Sequence, residues 1–253
     1  MRTLFIHSTG TGPFLWDFVP DEVVPEASRL TPANLGYPPL PPLARGQPFS
    51  VLDDVAQLRR QLPAGPVHVV AHSYGGLVAL KLAALPAVEV RSMFLLEPVM
   101  FGAIAHDVDA SAEARAELER FQREPWFLED EALGGTEAWL EMFIDYWNRP
   151  GSWKRLPDFM RAHSLAMGWK MFQEVRSVFA QSGTYEENPL PPVPVTLVEG
   201  ERSPAGSREV IRALKQRHPH ARVVTLPGTG HMAPMTHPEK VVEALRAHRA
   251  TVG

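Results

Sequence analysis

Apolar and polar positions change rhythm several times along the chain, and each change predicts an element. Residues 2–7 alternate weakly around Leu4 and Ile6 and predict a first strand. Residues 28–31 predict a short second strand. A turn over Asn34-Leu35-Gly36-Tyr37 and a proline-rich surface loop follow it. Val51, Val55, Leu58 and Leu62 then recur at helical spacing, and Ser50 before them is suited to an N-cap. Val67, Val69, Val70 and Ala71 read as a buried strand. It runs through His72-Ser73-Tyr74 into Gly75-Gly76 and an apolar helix that Pro86 ends. The next strand spans residues 91–96 and closes on Glu97-Pro98.

Between about residues 99 and 191 the period turns helical and Trp, Phe and Met crowd together. The pattern predicts helices over 112–122 and 136–147, one around 157–167, and a separate one over 169–181. A strand at 194–198, a helix at 205–218, a last strand at 221–226 and a final helix at 241–248 complete the chain. Thr236 and Glu239 have capping-box spacing ahead of that last helix. Right-handed crossovers put strand 2–7 beside strand 67–71, with strand 28–31 outside it. Strand order therefore reverses between the first two, and open parallel sheets bind ligands in the crevice at such a reversal.

Composition narrows the function classes. A chain of 253 residues suits one α/β domain with an insertion. A net charge of −4 without a polybasic run speaks against nucleic acid and against a membrane surface as partners. The absence of cysteine excludes disulfides, thiol nucleophiles and cysteine-held zinc. The first apolar stretch is too short for a signal peptide, and His72, Ser73, Lys81 and Pro86 interrupt the longest one. A cytoplasmic small-molecule enzyme is the expectation. Gly10-x-Gly12 lacks the third glycine of a dinucleotide site, so no cofactor is expected, and no metal.

Ala71-His72-Ser73-Tyr74-Gly75 has the strand–turn–helix context of a nucleophile elbow, in which a strained turn projects a serine hydroxyl from the sheet. Small residues must flank that serine because strand and helix nearly collide. Gly75 is one, and Ala71 carries a methyl group where glycine is usual. Leu4-Phe5-Ile6-His7-Ser8-Thr9-Gly10 resembles an oxyanion loop, and Pro227-Gly228-Thr229-Gly230-His231-Met232 a catalytic-histidine loop. On these three motifs the chain resembles the α/β-hydrolase fold. The resemblance implies a mostly parallel, six-stranded twisted sheet with helices on both faces. Residues 1–99 and 192–253 would form the core, and 100–191 a helical cap inserted after the post-elbow strand.

It also implies roles. Ser73 would be the nucleophile, His231 its base, and the backbone N–H groups of Thr9 and Tyr74 the oxyanion donors. His72, His106, His163, His218 and His220 are the weaker candidates for the base. The family usually carries an aspartate after the strand at 194–198, but Gly200-Glu201-Arg202-Ser203 offers serine there. Glu97, 24 residues after Ser73, is the expected acid, because some dehalogenase-like members place theirs at that strand end. Glu201 and Glu199 are the alternatives. Trp139, Phe143, Trp147 and Met160 in the insertion, with Met232, are candidate pocket residues. Trp153, Met167, Trp169, Met171 and Phe172 could join them. The resulting expectation is a serine carboxylesterase for apolar, small-to-medium esters. C–C bond or lactone hydrolysis, perhydrolysis, and a hydrolase-fold binding protein with little turnover are the alternatives.

Overall fold

The computed structural model describes residues 1–252. Six parallel strands form one sheet in the order β2-β1-β3-β4-β5-β6. They are β1 (Arg2–Ile6), β2 (Arg29–Leu30), β3 (Val67–His72), β4 (Val90–Leu96), β5 (Val195–Gly200) and β6 (Arg222–Leu226). β1 lies between β2 and β3, so the strand order reverses there, with Leu4 opposite Val69. This is the α/β-hydrolase architecture, with helices on both faces.

The two-residue period of the strands divides the core. Leu4, Ile6, Val69, Ala71, Met93, Leu95 and Leu197 face one side and pack against helices α1 (Val51–Gln61), α2 (Tyr74–Ala83) and others of that layer. Phe5, Val70, Phe94, Leu96 and Val198 face the other side. There they meet Trp16, Val24, Val241 and Leu245, from the N-terminal segment and the last helix. Helix α1 starts as its sequence requires: Ser50 accepts from the Leu52 amide, and Asp53 accepts from the Ser50 amide at 2.7 Å.

Between β4 and β5 lie α3 (Phe101–His106), α4 (Ala112–Gln122), α5 (Pro125–Leu128), α6 (Glu137–Trp147), α7 (Ser152–Arg155) and α8 (Asp158–Ala180). The two helices expected around 157–167 and 169–181 are one helix of 23 residues. Gly168, which lies between the two expected spans, is a contact point. A Cβ there would lie 2.1 Å from the carbonyl oxygen of Gly135, so glycine permits the close crossing without breaking the helix. After β5 come α9 (Ala205–Arg217), α10 (Ala233–Thr236) and α11 (Pro238–Val252). The expected Thr236–Glu239 capping box does not form. Pro238 is the first residue of α11 and Thr236 closes α10 instead, its hydroxyl donating to the Met232 carbonyl. No helix among the described residues is long and apolar enough to cross a membrane.

Candidate active site

The site lies at the carboxyl ends of β1, β3 and β4, where the strand order reverses. β3 stops at His72 and α2 begins at Tyr74, which leaves Ser73 as the single joint between them. Its backbone sits at φ 56° and ψ −123°. Among the described residues only Ser73 and Glu97 (φ 44°) are non-glycine residues with positive φ. Such conformations cost about 1–3 kcal/mol each and persist only where the surroundings over-determine them. Here they do. The Ser73 amide donates to Leu96 O, its carbonyl accepts from Gly76 and Val99, and the Glu97 amide donates to Val198 O. Close approach dictates the glycines that follow. A Cβ on Gly75 would lie 2.6 Å from His7 O, and one on Gly76 would lie 2.5 Å from Pro98.

Three side chains far apart in sequence meet at this joint. Ser73 Oγ lies 2.9 Å from His231 Nε2, and His231 Nδ1 lies 2.5 Å from Glu97 Oε2. All three are buried. The other Glu97 oxygen accepts from the Gly200 amide at 2.5 Å and from the Ser203 hydroxyl. Burial alone would push the Glu97 carboxyl up, but the donors from His231, Ser203 and Gly200 outweigh it and hold it below its ordinary value. Ser203 thus stands in the place where an acid is usual, as a hydrogen-bond donor to an acid that arrives from β4. Glu201 and Glu199 are engaged elsewhere, with the Gly228 amide at 2.6 Å and the Thr225 hydroxyl at 2.8 Å.

The other histidines are placed apart from Ser73 Oγ or otherwise committed. His72 Nε2 lies 2.9 Å from the carbonyl oxygen of His231 and holds that loop. Burial, with the charge of His231 adding, drives the His72 ring well below its ordinary pKa, so it stays neutral. His218 Nε2 accepts from the Leu190 amide, His220 faces Pro191 O, and His106 is exposed on α3. His163 lines the cavity beside Phe14.

Thr9 lines the same cavity as Ser73. The next amide, Gly10, donates to Tyr37 Oη at 2.9 Å, which fixes the loop. Tyr74 is the first residue of α2, so its N–H has no partner within the helix. Its ring turns away from Ser73, and its hydroxyl donates to Asp54 at 2.8 Å.

Above the trio is a cavity of about 640 Å³ with a mainly apolar wall. Phe143, Trp147, Met160 and Met232 line it. Trp147 lies directly on His231, with ring centroids 3.7 Å apart and planes 24° from parallel. Trp139 does not line the cavity. It is fully buried between Phe127 and Phe143, and its indole N–H donates to Phe127 O. Trp153, Met167, Trp169 and Phe172 likewise pack into the core of the insertion, whereas Met171 reaches the cavity. Sequence reasoning missed Phe121, Val175, Val178 and Phe179 on the wall. The signal was present for three of them: Met171, Val175, Val178 and Phe179 are spaced along one face of α8, and all four fall within the helix expected over 169–181.

A model of the alpha/beta hydrolase family matches residues 3–244. The chain is 28% identical over 261 residues to the lipase LipV of Mycobacterium tuberculosis (strain ATCC 25618 / H37Rv), covering 97% of this chain and 92% of that protein. Among solved structures it resembles one from a study of carboxylesterases of Nitrososphaera gargenis, with a TM-score of 0.68 and 17% identity over 99% of this chain and 90% of the other. It also resembles a loop variant of the haloalkane dehalogenase DbeA from Bradyrhizobium elkanii, with a TM-score of 0.70 and 21% identity over 99% and 89% of the two chains. At those identities the two structures speak for the fold alone.

Proposed function

The chain belongs to the alpha/beta hydrolase family, and from that premise we propose that it is a serine hydrolase of carboxylic esters with apolar acyl or alcohol groups. The observation that carries the reading is the Ser73 hydroxyl 2.9 Å from His231 Nε2, with Glu97 on the opposite ring nitrogen, at the base of an apolar cavity. His231 takes the proton as Ser73 Oγ attacks the ester carbonyl, and Glu97 holds the ring tautomer and stabilises the imidazolium. The amides of Thr9 and Tyr74 receive the oxyanion. The imidazolium returns its proton to the leaving alcohol, and water activated by the same ring then releases the acyl group from Ser73.

Within this reading residues 100–191 act as the cap, and their apolar wall selects the substrate. An ester cleaved under Phe121, Phe143 and Phe179 gains from burial of its hydrocarbon, at about 25 cal/mol per Å². The lipase from M. tuberculosis, related over nearly the whole chain, is consistent with ester chemistry. The test joins an activity-based fluorophosphonate to a panel of p-nitrophenyl esters of rising acyl length. The wild type takes the label and turns over at least one chain length, and Ser73→Ala does neither. Folded wild type that is unlabelled and inert across the panel overturns the proposal and favours a binding protein.

A further inference from the structure

The His231 ring has two aromatic neighbours, packed unequally. The His72 ring lies tilted to it, with centroids 4.8 Å apart and planes at 38°. The Trp147 indole stacks on it at 3.7 Å and 24°. Trp147 is the last residue of α6, and Phe101 stacks 6.0 Å from it, at 19° from parallel. Phe143 and Tyr146 meet it edge-on. The indole is therefore held on three sides and lies flat against one imidazole.

The remaining groups around that imidazole account for its edges and not for its faces. Glu97, at the end of β4, takes Nδ1, and Ser73 takes Nε2. His72, on β3, is neutral and brings no like charge. Tyr146, beside Trp147 on α6, gives its hydroxyl to Glu117 on α4 at 2.6 Å, and burial pushes that phenol well above its ordinary value. Glu117 also accepts from the Ala205 and Gly206 amides of α9, so its charge is shared by three donors. The face covered by Trp147 thus meets only a π-surface.

We propose that Trp147 is a positioning residue that favours the imidazolium form of His231 through its ring face, so that the insertion takes part in the acid–base step as well as in substrate selection. An indole face carries negative potential and attracts a cation within about 6 Å of its centroid. His231 becomes a cation when it accepts the Ser73 proton, and the stacked indole is in place before that charge appears. The interaction is stronger in the charged state than in the resting one, which is the condition for speeding the chemical step. This inference rests on the serine-hydrolase reading for its effect on turnover, but the stacking itself is measurable in the resting protein.

The experiment compares wild type with Trp147→Phe and Trp147→Leu, each first checked for an unchanged circular dichroism spectrum and cooperative melting. Cation–π attractions of the usual size correspond to a fall in kcat of between about twofold and thirtyfold for Trp147→Leu, with Trp147→Phe between it and wild type. The acid limb of the kcat/KM profile moves to lower pH by about 0.4 to 1.5 units in Trp147→Leu, because the imidazolium loses its partner. In the resting protein, NMR titration of the His231 ring moves the same way by the same amount. A lower kcat with an unmoved acid limb and an unmoved ring titration overturns the proposal and leaves Trp147 a wall residue that packs substrate. If no variant or wild type turns over esters, the catalytic reading fails, while the ring titration still decides the stacking.

Discussion

Ser73 and Tyr74 are neighbours, yet the two sides of the elbow they face differ in kind. On the Ser73 side a carboxylate, an imidazole and a hydroxyl are buried in line, and the last opens on an apolar cavity. On the Tyr74 side two carboxylates, an ammonium and two phenols are buried just as deeply. Lys170 donates to Asp54 at 2.6 Å and to Glu174 at 2.9 Å, Tyr74 to Asp54 at 2.8 Å, and Tyr37 to Glu174 at 2.7 Å. Lys170 also lies 3.9 Å above the Phe49 ring. Burial, with the charge of Asp54, outweighs the Lys170 ammonium and pushes the Glu174 carboxyl up.

The two clusters thus differ in what they face more than in whether they are buried or charged. The second cluster has its donors bonded among its own members, and none of them lines the cavity above Ser73, so it works as a joint. It ties α1, α2, α8 and, through Gly10 N on Tyr37, the loop after β1. Its chemistry is spent on holding the loop that carries Thr9.

The comparison can be broken or sharpened in order of effect. Ser73→Ala removes the proposed nucleophile, and kcat falls by roughly 10⁶-fold, the loss seen when a serine hydrolase loses its nucleophile. Stopped-flow assays with a p-nitrophenyl ester measure it. Glu97→Gln leaves the fold in place and lowers kcat by about 10²–10⁴-fold, and an equally large loss in Glu201→Gln would move the acid. Lys170→Met strikes the joint instead. It leaves two carboxylates buried without their cation, costs about 3–5 kcal/mol of stability and lowers Tm by on the order of 10 °C. The activity of the molecules that remain folded is far less affected. If Lys170→Met matched Ser73→Ala in kcat at full folding, the two sides would not be distinct in role.

The acid response of the joint is a smaller effect. His7 lies against Tyr37 with centroids 4.8 Å apart, and burial lowers its pKa to about 4. The folded protein binds its proton less readily than the unfolded chain does. Stability is therefore full above pH 6.5 and falls as pH drops from 6.5 to about 4, by up to about 3 kcal/mol. Thermal melts across that range show the decline, and they show less of it in His7→Asn. Smallest is Tyr37→Phe. It removes one hydrogen-bond partner from Gly10 N and from Glu174, worth about 1 kcal/mol each, with a modest fall in kcat because the loop after β1 loosens.

Much of the core was legible because its signals are local. The strand at Val67, the glycines after Ser73 and the apolar start of α2 are neighbours in sequence, and a steric demand among neighbours leaves its mark there. Glu97 could be singled out as the expected acid because Ser203 stands where an acid is usual and some members of the resembled family place theirs at the end of the strand after the elbow. The insertion was harder. Gly168 falls between the two helices expected there, and the reason for glycine is a crossing with Gly135 that no local pattern reveals. Trp139 looked like a pocket wall because apolarity marks burial but not the side of a helix layer on which a ring lies.

The sequence by itself determined the sheet, the elbow and the candidate groups of the site, since periodicity and close backbone approach are properties of adjacent residues. Tertiary structure alone decided that Ser203 would serve Glu97, that Trp147 would lie on His231, and that Lys170 would find Asp54 across 116 residues. Each of these joins side chains from separate elements. Which polar or aromatic group a buried side chain meets depends on how packed layers dock, and that is not encoded in any stretch of the chain short enough to read alone.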